Sequence, residues 1–446
     1  MTPRFFSRLA AAMLLTLAAA LPARAAVEIE EVTSPGGITA WLVEDRNIPF
    51  VALEIRFQGG TSLDAPGKRG AVHLMTSLLG EGAGDMDAQG FARAVEGVAA
   101  DFDYDAGDDV VSVSARFLTE TRDEAVELLR ASLVEPRFDA DAVERVRAQA
   151  VSAIRSDLQD PSVIAGRAFD RVAFGDHPYG TAPDGTPESV AALTRDDLIA
   201  AHGDALARDR IFVGAAGDIT AEELGALLDE LLGDLPAEGA PLPEDAEVGL
   251  SGGVKVVEFD TPQSVAVFGH EGLPRDHEDF FEAFVLNQIV GGGGFESRLM
   301  QEVREKRGLT YGVYSYLAPK DHAALYLGRV ASANDRIAEA IGVIRDEWES
   351  VAEEGVSAQE LEDAKTYLTG AYPLRFDGNG PIANILVGMQ MDGLPIDYAE
   401  TRNDKVRAMT LEEINRVAAD LFDPESLTFV VAGRPEGLED AEPLSQ

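Results

Sequence analysis

The feature that most constrains the fold of this chain is a long internal repeat. The segment 194–198, Thr-Arg-Asp-Asp-Leu, has the form of a capped helix start and lies 23 residues before Gly217, which ends an apolar run. The segment 410–414, Thr-Leu-Glu-Glu-Ile, lies 23 residues before Gly433, which also ends an apolar run. The two glycines are 216 positions apart. This shared register favours a duplicated unit, although two unrelated capped helices would look similar over so short a stretch.

Strand and helix patterns recur in the same order in the two halves. In the first half, alternating apolar residues predict strands over 38–43, 50–57, 110–117 and 210–216. Helices are predicted from near residue 71 and over 88–98, 123–133, 139–157, 194–207 and 221–232. In the second half, strands are predicted over 254–259, 264–268, 323–331 and 427–432, and helices over 278–289, 335–353, 358–371, 382–391 and 410–422. The pattern predicts an α+β protein of two homologous domains, each a largely antiparallel sheet covered by helices.

The first 25 residues have the composition of a signal peptide. Arg4 and Arg8 precede an apolar run over 9–21, and Ala23 and Ala25 provide the small residues that precede a cleavage site. We predict cleavage after Ala25 and export to a bacterial periplasm. The remaining chain divides into an N-terminal domain (26–234), a linker rich in proline and glycine (235–253) and a C-terminal domain (254–446). No later apolar stretch is long enough for a membrane span, so none is expected after cleavage.

Charge and cysteine content exclude several kinds of function. The chain has 79 acidic and 37 basic residues, a formal net charge of −42, which argues against binding to the nucleic-acid backbone. It has no cysteine, so thiol chemistry and disulfides are absent even though export would permit them.

The stretch 291–316 combines a glycine turn, a charged helix and a strand-like exit. Gly291–Gly294 lead into a helical pattern, and a strand pattern begins near Tyr311. Arg304 and Tyr311 therefore bracket a helix-to-strand corner, where both side chains could point into one cleft. A phosphate-binding loop would need Gly-Lys-Ser/Thr after the glycines, whereas Phe295–Arg298 follow in this chain, which disfavours nucleotide binding. The glycines could serve a tight helix entry or a loop that contacts substrate.

Together these segments resemble the pitrilysin/insulinase-type zinc peptidases. The likeness is to the zinc-lacking, two-domain bacterial subunits related to mitochondrial processing peptidase, and it covers essentially all of the chain after residue 25. In the first half it rests on residues 59–62, 67, 70–73, 177–180 and 185–186, and in the second on Gln263, Asn287, residues 291–293, 297–299, 304, 308–309 and 311. The resemblance implies that the two domains form half of a clam-shell chamber.

The resemblance also locates a zinc motif that is incomplete in this chain. Active members carry HxxEH, in which the two histidines bind zinc and the glutamate is the general base. In this chain His73 is kept, Thr76 replaces the base, Ser77 replaces the second ligand, and Ala153 stands where the family spacing expects the third ligand. Because a catalytic zinc site needs three protein ligands, we expect no metal on this chain. His73 is then expected to pack against the sheet.

The arginine and tyrosine expected from the resemblance are both present in this chain. In these peptidases an arginine and a tyrosine seven residues apart hold substrate beside the zinc, and Arg304 and Tyr311 match them. A guanidinium and a phenol can donate hydrogen bonds to a peptide carbonyl, and more strongly to the oxyanion formed in hydrolysis. The resemblance further implies substrate contacts for Gly291, Gly292 and Gly293. The alternative is that Arg304 is a solvated helix arginine among charged neighbours.

The function implied is that of a non-catalytic, substrate-binding subunit of a heteromeric periplasmic zinc metallopeptidase. It would be inactive alone, would bind no cofactor itself, and would work on peptides with a partner subunit that carries HxxEH and the zinc. Two alternatives remain open: a structural or peptide-binding homodimer, and a peptidase with a rebuilt metal site.

Overall fold

Two six-stranded sheets organise the chain, one in each half. The structure is a computed structural model that describes residues 28–292 and 294–445. The predicted signal peptide (1–25) and Gly293 lie outside the described residues. No helix in the described part is long and apolar enough to cross a membrane.

The described part of the first half contains eight strands, six of which form its main sheet, and eight α-helices. The strands are β1 (Glu30–Thr33), β2 (Thr39–Glu44), β3 (Phe50–Gln58), β4 (Gly82–Ala83), β5 (Met86–Asp87), β6 (Asp101–Ala106), β7 (Val110–Leu118) and β8 (Ile211–Gly217). The helices are α1 (Ala71–Thr76), α2 (Ala88–Gly97), α3 (Arg122–Val134), α4 (Ala140–Asp157), α5 (Pro161–Phe174), α6 (Pro187–Ala192), α7 (Arg195–Ala205) and α8 (Ala221–Leu232).

The second half follows after an extended segment. Its strands are β9 (Gly253–Glu258), β10 (Gln263–Glu271), β11 (Val313–Lys320), β12 (Ala323–Ala333), β13 (Thr428–Gly433) and β14 (Glu442–Leu444). Its helices are α9 (Phe280–Val290), α10 (Ile337–Glu354), α11 (Ala358–Ala371), α12 (Asn379–Met391), α13 (Tyr398–Ala408) and α14 (Leu411–Leu421), with a π-helical turn at Met300–Glu305.

The two sheets share one topology. Their strand orders are β1-β2-β8-β3-β7-β6 and β11-β12-β10-β13-β9-β14. The two orders correspond when the second is read in reverse, from β14 to β11. In each sheet a parallel pair (β2 with β8, β9 with β13) continues into antiparallel pairs. Only the edge strand beside the parallel pair differs, since β1 is antiparallel to β2 while β14 is parallel to β9. Thr194 and Thr410 cap equivalent helices, α7 and α14, by accepting hydrogen bonds from Asp197 N at 3.3 Å and Glu413 N at 3.2 Å. The predicted pair of homologous, largely antiparallel domains is confirmed.

One helix from each half covers the sheet of the other half. Helix α5 packs on β10 and β13 of the second sheet, where Phe169 joins a core with Val265 and Val430. Helix α12 packs on β3 and β8 of the first sheet, where Leu386 joins a core with Trp41. Residues 161–174, shifted by the repeat of 216, fall on 377–390, close to α12. The exchange is therefore reciprocal.

Some elements were not predicted. Helices α5 and α13 and strand β6 are among them. In β6 the aspartates 101, 103 and 105 are exposed, while Phe102, Tyr104 and Ala106 pack against the first core. Because aspartate is depleted in strands, local propensity concealed this edge strand. The strand predicted from Tyr311 instead begins at Val313 and runs to Lys320.

Candidate functional site

The positions of the incomplete zinc motif lie on α1 and α4. Helix α1 is a short element of six residues; His73 within it and Ser77 directly after its end are exposed, and the Ser77 hydroxyl donates to the His73 carbonyl oxygen at 3.0 Å. Thr76 is 1% exposed, and its hydroxyl has no hydrogen-bond partner among the described residues. Since His73 faces outward, the expectation that it packs against the sheet is wrong.

These residues do not fit a zinc ion. Ala153 is exposed on α4 and offers only a methyl group, and Ser77 is already engaged by the helix backbone. Within residues 28–292 and 294–445, no group of three or more potential ligand side chains is placed to hold a metal. No metal-dependent step is therefore assigned to this chain.

Near the start of α1, the residues that carry the family resemblance form a hydrogen-bonded cluster around Asp64 and Arg69. The Asp64 carboxylate accepts the backbone N–H groups of Gly70 at 2.7 Å and Val72 at 2.8 Å, which caps α1, while burial raises the pKa of Asp64. The Arg69 guanidinium lies beside this carboxylate and donates to four carbonyl oxygens, those of Thr61, Pro178, Thr181 and Ala182. These segments of the first half therefore hold α1 in place.

The Arg–Tyr corner opens onto the surface of the second half. Arg304 belongs to the π-helical turn, which is anchored by the buried side chains of Met300 and Val303. The guanidinium lies 4.7 Å from the centre of the Phe295 ring, and its Nε is 3.4 Å from a Glu305 carboxylate oxygen. Tyr311 is 87% exposed. The structure brings Arg304 and Tyr311 to one cavity of about 470 Å³, as the helix-to-strand pattern suggested.

Hydrogen bonds to neighbouring segments fix the turn that carries Tyr311. Arg336 donates to the carbonyl oxygens of Arg307 and Gly308, both at 3.0 Å, and the Thr310 hydroxyl donates to the Ala331 carbonyl oxygen at 2.6 Å. All described residues that line the cavity come from the second half. The Arg304–Tyr311 cavity is thus separate from the degenerate motif on α1.

The glycines that precede this corner have a packing role. Gly291 is buried, and its carbonyl oxygen accepts the Ser315 N–H at 2.9 Å, which covers part of the outer edge of β11. A methyl group at Gly291 would lie 2.8 Å from Ser315 N, and one at Gly292 would lie 2.7 Å from the Cα of Gln288. Gly293 lies outside the described residues. Substrate contact by these three glycines remains a prediction.

A polar cluster joins the two halves near the hairpin tips of their sheets. Lys320 pairs with Asp108, and its ammonium lies 4.2 Å from the centre of the Tyr179 ring. The Tyr179 hydroxyl donates to Asp109 and accepts the backbone N–H of His322 at 3.1 Å. In the sequence, residues 177–180 stand out only as part of a motif, because the residues that Tyr179 contacts across the interface are distant from it in the chain.

Asp170, on the crossing helix α5, belongs to the same region. Burial raises the pKa of Asp170 to about 7; the nearby charge of Asp108 acts in the same direction, while Lys320 opposes it. The contact between the halves therefore contains a carboxyl group that changes charge near neutral pH.

Comparison with known proteins identifies the family. Residues 192–368 match the model of the Peptidase M16 inactive domain. The non-peptidase homolog YmxG of Helicobacter pylori is 28% identical over 391 residues, which cover 87% of this chain and 90% of that protein. Residues 192–368 of this chain form a peptidase M16 inactive domain. The predicted family is confirmed, and the chain is an M16 peptidase homologue with an incomplete zinc motif.

Other M16 relatives agree with this assignment. An uncharacterized zinc protease of Mycobacterium tuberculosis is 29% identical over 408 residues, covering 89% of this chain and 92% of that protein. A solved peptidase M16 inactive domain from Pseudomonas fluorescens superimposes with a TM-score of 0.86 at 28% identity, covering 93% of this chain and 99% of that one. A protease structure from Helicobacter pylori, 16% identical with a TM-score of 0.83, shares the fold.

Proposed function

We propose that this chain is a non-catalytic, substrate-binding subunit of a heteromeric periplasmic zinc metallopeptidase. It would pair with a partner subunit that carries an intact HxxEH motif and the zinc, and would supply Arg304 and Tyr311 to that site. The observation that carries the proposal is the placement of both donors on one surface cavity, in a chain whose residues 73, 76, 77 and 153 provide no ligand set.

The chemistry of the corner supports a role toward a reacting carbonyl. A guanidinium and a phenol both donate hydrogen bonds, and such donors bind an oxyanion more strongly than a neutral carbonyl oxygen. The contact of Arg304 with Glu305, at 3.4 Å, joins partly exposed side chains. Surface pairs of this kind contribute about 0–1 kcal/mol, so Arg304 can leave Glu305 for a substrate at little cost.

Strand β6 offers a second feature for peptide binding. It is the terminal strand of the first sheet, whereas the outer edge of β11 is partly covered by Gly291. An extended peptide can add to such an edge through backbone hydrogen bonds. The exposed aspartates 101, 103 and 105 would favour peptides with basic side chains at alternate positions.

The test is reconstitution with a candidate HxxEH subunit and a fluorogenic peptide. The mixture is expected to hydrolyse the peptide faster than either chain alone. Arg304→Ala and Tyr311→Phe should each lower the rate by roughly 10²–10³-fold, the usual effect of losing an oxyanion donor. Arg307→Ala and Tyr367→Phe are matched controls, because Arg307 pairs with Glu302 at 2.7 Å and Tyr367 is 61% exposed on α11, away from the cavity.

Three results would contradict the proposal. If the mixture gains activity but Arg304→Ala and Tyr311→Phe leave the rate unchanged, the chain does not donate these groups. If no HxxEH subunit gains activity while the chain alone binds peptides as a dimer, a peptide-binding homodimer explains the family fold. If the purified chain alone holds stoichiometric zinc and shows chelator-sensitive activity, the metal site has been rebuilt elsewhere.

A further inference from the structure

A separate cavity of about 570 Å³ lies where α9, β11, α12 and α13 meet. Its size falls in the range of small-molecule pockets, about 300–1,000 Å³. Most of its wall is aromatic or aliphatic, with contributions from Phe281, Phe284, Tyr372, Ile385, Met389 and Tyr398. The cavity can therefore hold a small organic molecule, or the end of a peptide, with an apolar body.

The charge of this cavity has the opposite sign to that of the protein. Its lining includes three arginines, Arg275, Arg375 and Arg402, but only one acidic residue, Asp392. Arg275 Nε pairs with the Asp392 carboxylate at 2.9 Å, which leaves Arg375 and Arg402 without a carboxylate partner in the described part of the chain. In a protein with 79 acidic and 37 basic residues, two unneutralised arginines at one cavity are unexpected.

Arg402 is the more informative of the two. It is 5% exposed, and its guanidinium stacks 4.4 Å from the centre of the Tyr372 ring. Its Nη1 donates to the Leu368 carbonyl oxygen at 3.1 Å and to the Asn403 side-chain oxygen at 3.0 Å, while Tyr398 is a further hydrogen-bonding neighbour. All of these partners are formally neutral. A buried charge is costly unless a counter-charge accompanies it, so an anionic group placed in this cavity would be stabilised by Arg402.

We propose that this cavity binds an organic carboxylate with an aromatic or branched aliphatic body. The carboxylate would lie at Arg375 and Arg402, and the body would pack among the rings of Phe281, Phe284 and Tyr398. Arginine suits this role because its fork of N–H donors can bind a carboxylate through two hydrogen bonds. Two sources carry this chemistry: the C-terminal residue of a peptide, and a free small acid. The proposal does not depend on a partner subunit.

The experiment is calorimetric titration of the full chain with matched acids and amides. The probes are N-acetylphenylalanine and its amide, and an octapeptide that ends in phenylalanine as the free acid or the amide. At neutral pH at least one acid is expected to bind about tenfold or more tightly than its amide, as for hydrogen bonds between charged groups. The strong negative net charge of the protein disfavours nonspecific binding of anions, so this preference reports the cavity.

Variants locate the binding to the cavity. Arg375→Gln, at an exposed side chain, should weaken binding of the acid roughly tenfold, whereas Arg434→Gln, at an exposed arginine paired with Asp260, should have no effect. Arg402→Gln should abolish the preference for the acid; if that variant does not fold, Arg375→Gln still decides. Discrimination with the octapeptide assigns the site to peptide C-termini, and discrimination with N-acetylphenylalanine alone assigns it to free acids. Equal binding of acid and amide, no binding of either, or wild-type binding by Arg375→Gln would overturn the proposal.

Discussion

At Gly214 the first sheet and the crossing helix α12 are in close backbone contact. Gly214 lies in β8, an internal strand of the first sheet, and a methyl group there would overlap the carbonyl oxygen of Ala383 and lie 2.9 Å from Val387 N. Both neighbours belong to the backbone of α12, so no side-chain rotation can relieve the overlap. Gly214→Ala therefore requires the helix and the sheet to move apart.

The size of the effect follows from two opposing contributions. Overfilling a packed interface typically costs about 1–3 kcal/mol, and a backbone neighbour places this case toward the upper end. Replacing glycine by alanine inside a regular element gains back roughly 0.5–1 kcal/mol. The expected net loss is about 1–2 kcal/mol of unfolding free energy. Gly342→Ala is the matched control, because Gly342 lies within α10, where an added Cβ would approach no described residue beyond its own stretch of helix within 4 Å, and it should gain roughly 0.5–1 kcal/mol.

The assay is urea unfolding followed by far-UV circular dichroism on both variants and the wild type. Gly214→Ala should unfold at a lower urea concentration than the wild type, and Gly342→Ala at a higher one. If Gly214→Ala is as stable as Gly342→Ala, the close approach between β8 and α12 does not exist, and the crossing-helix arrangement is wrong.

Two further predictions concern buried polar groups. Because the pKa of Asp170 is raised to about 7, its ionised form is disfavoured in the fold, and stability falls as pH rises from about 4 to 7. The urea midpoint of Asp170→Asn should therefore exceed that of the wild type by more at pH 8 than at pH 5. A difference that stays constant with pH would contradict this. Thr76→Val removes a buried hydroxyl that has no partner in the described part of the chain and should raise stability by about 1 kcal/mol. By contrast, Thr220→Val removes the cap of α8 and should lower stability by about 1 kcal/mol, and thermal unfolding compares the two.

The sequence predicted those elements whose signals are local. Strong alternation and helical periodicity gave β3, β7 and α8 within a residue or two, and the capped helices at Thr194 and Thr410 revealed the duplication. Strand β6 was missed because three of its six residues are aspartates, and α13 because its sequence is mostly polar. The repeat itself contained the signal for α5, since the predicted helix 382–391 shifted back by 216 falls on 166–175, within a residue of the end of α5.

In the candidate site, too, the contacts that depend on local sequence could be predicted and the long-range contacts could not. The proximity of Arg304 and Tyr311 followed from the change of period between them, which is a local property of the chain. The contacts of Arg69 with Ala182 and of Tyr179 with His322 did not, because each joins residues more than 100 positions apart. The arginine-lined cavity depends on packing among four elements, and nothing in the sequence near Arg402 marks it as buried without an acidic partner.

The exchanged helices also bear on how such a chain could have arisen. A polypeptide made of a single repeat unit would leave one face of its sheet uncovered, since the helix that covers that face comes from the other unit. Two copies of that polypeptide could cover each other symmetrically, each lending its helix to its neighbour. Joining the copies through the proline- and glycine-rich segment turns an association that depends on concentration into a permanent one. The positions of α5 and α12 are thus those of a helix-swapped homodimer whose two copies are joined in one chain.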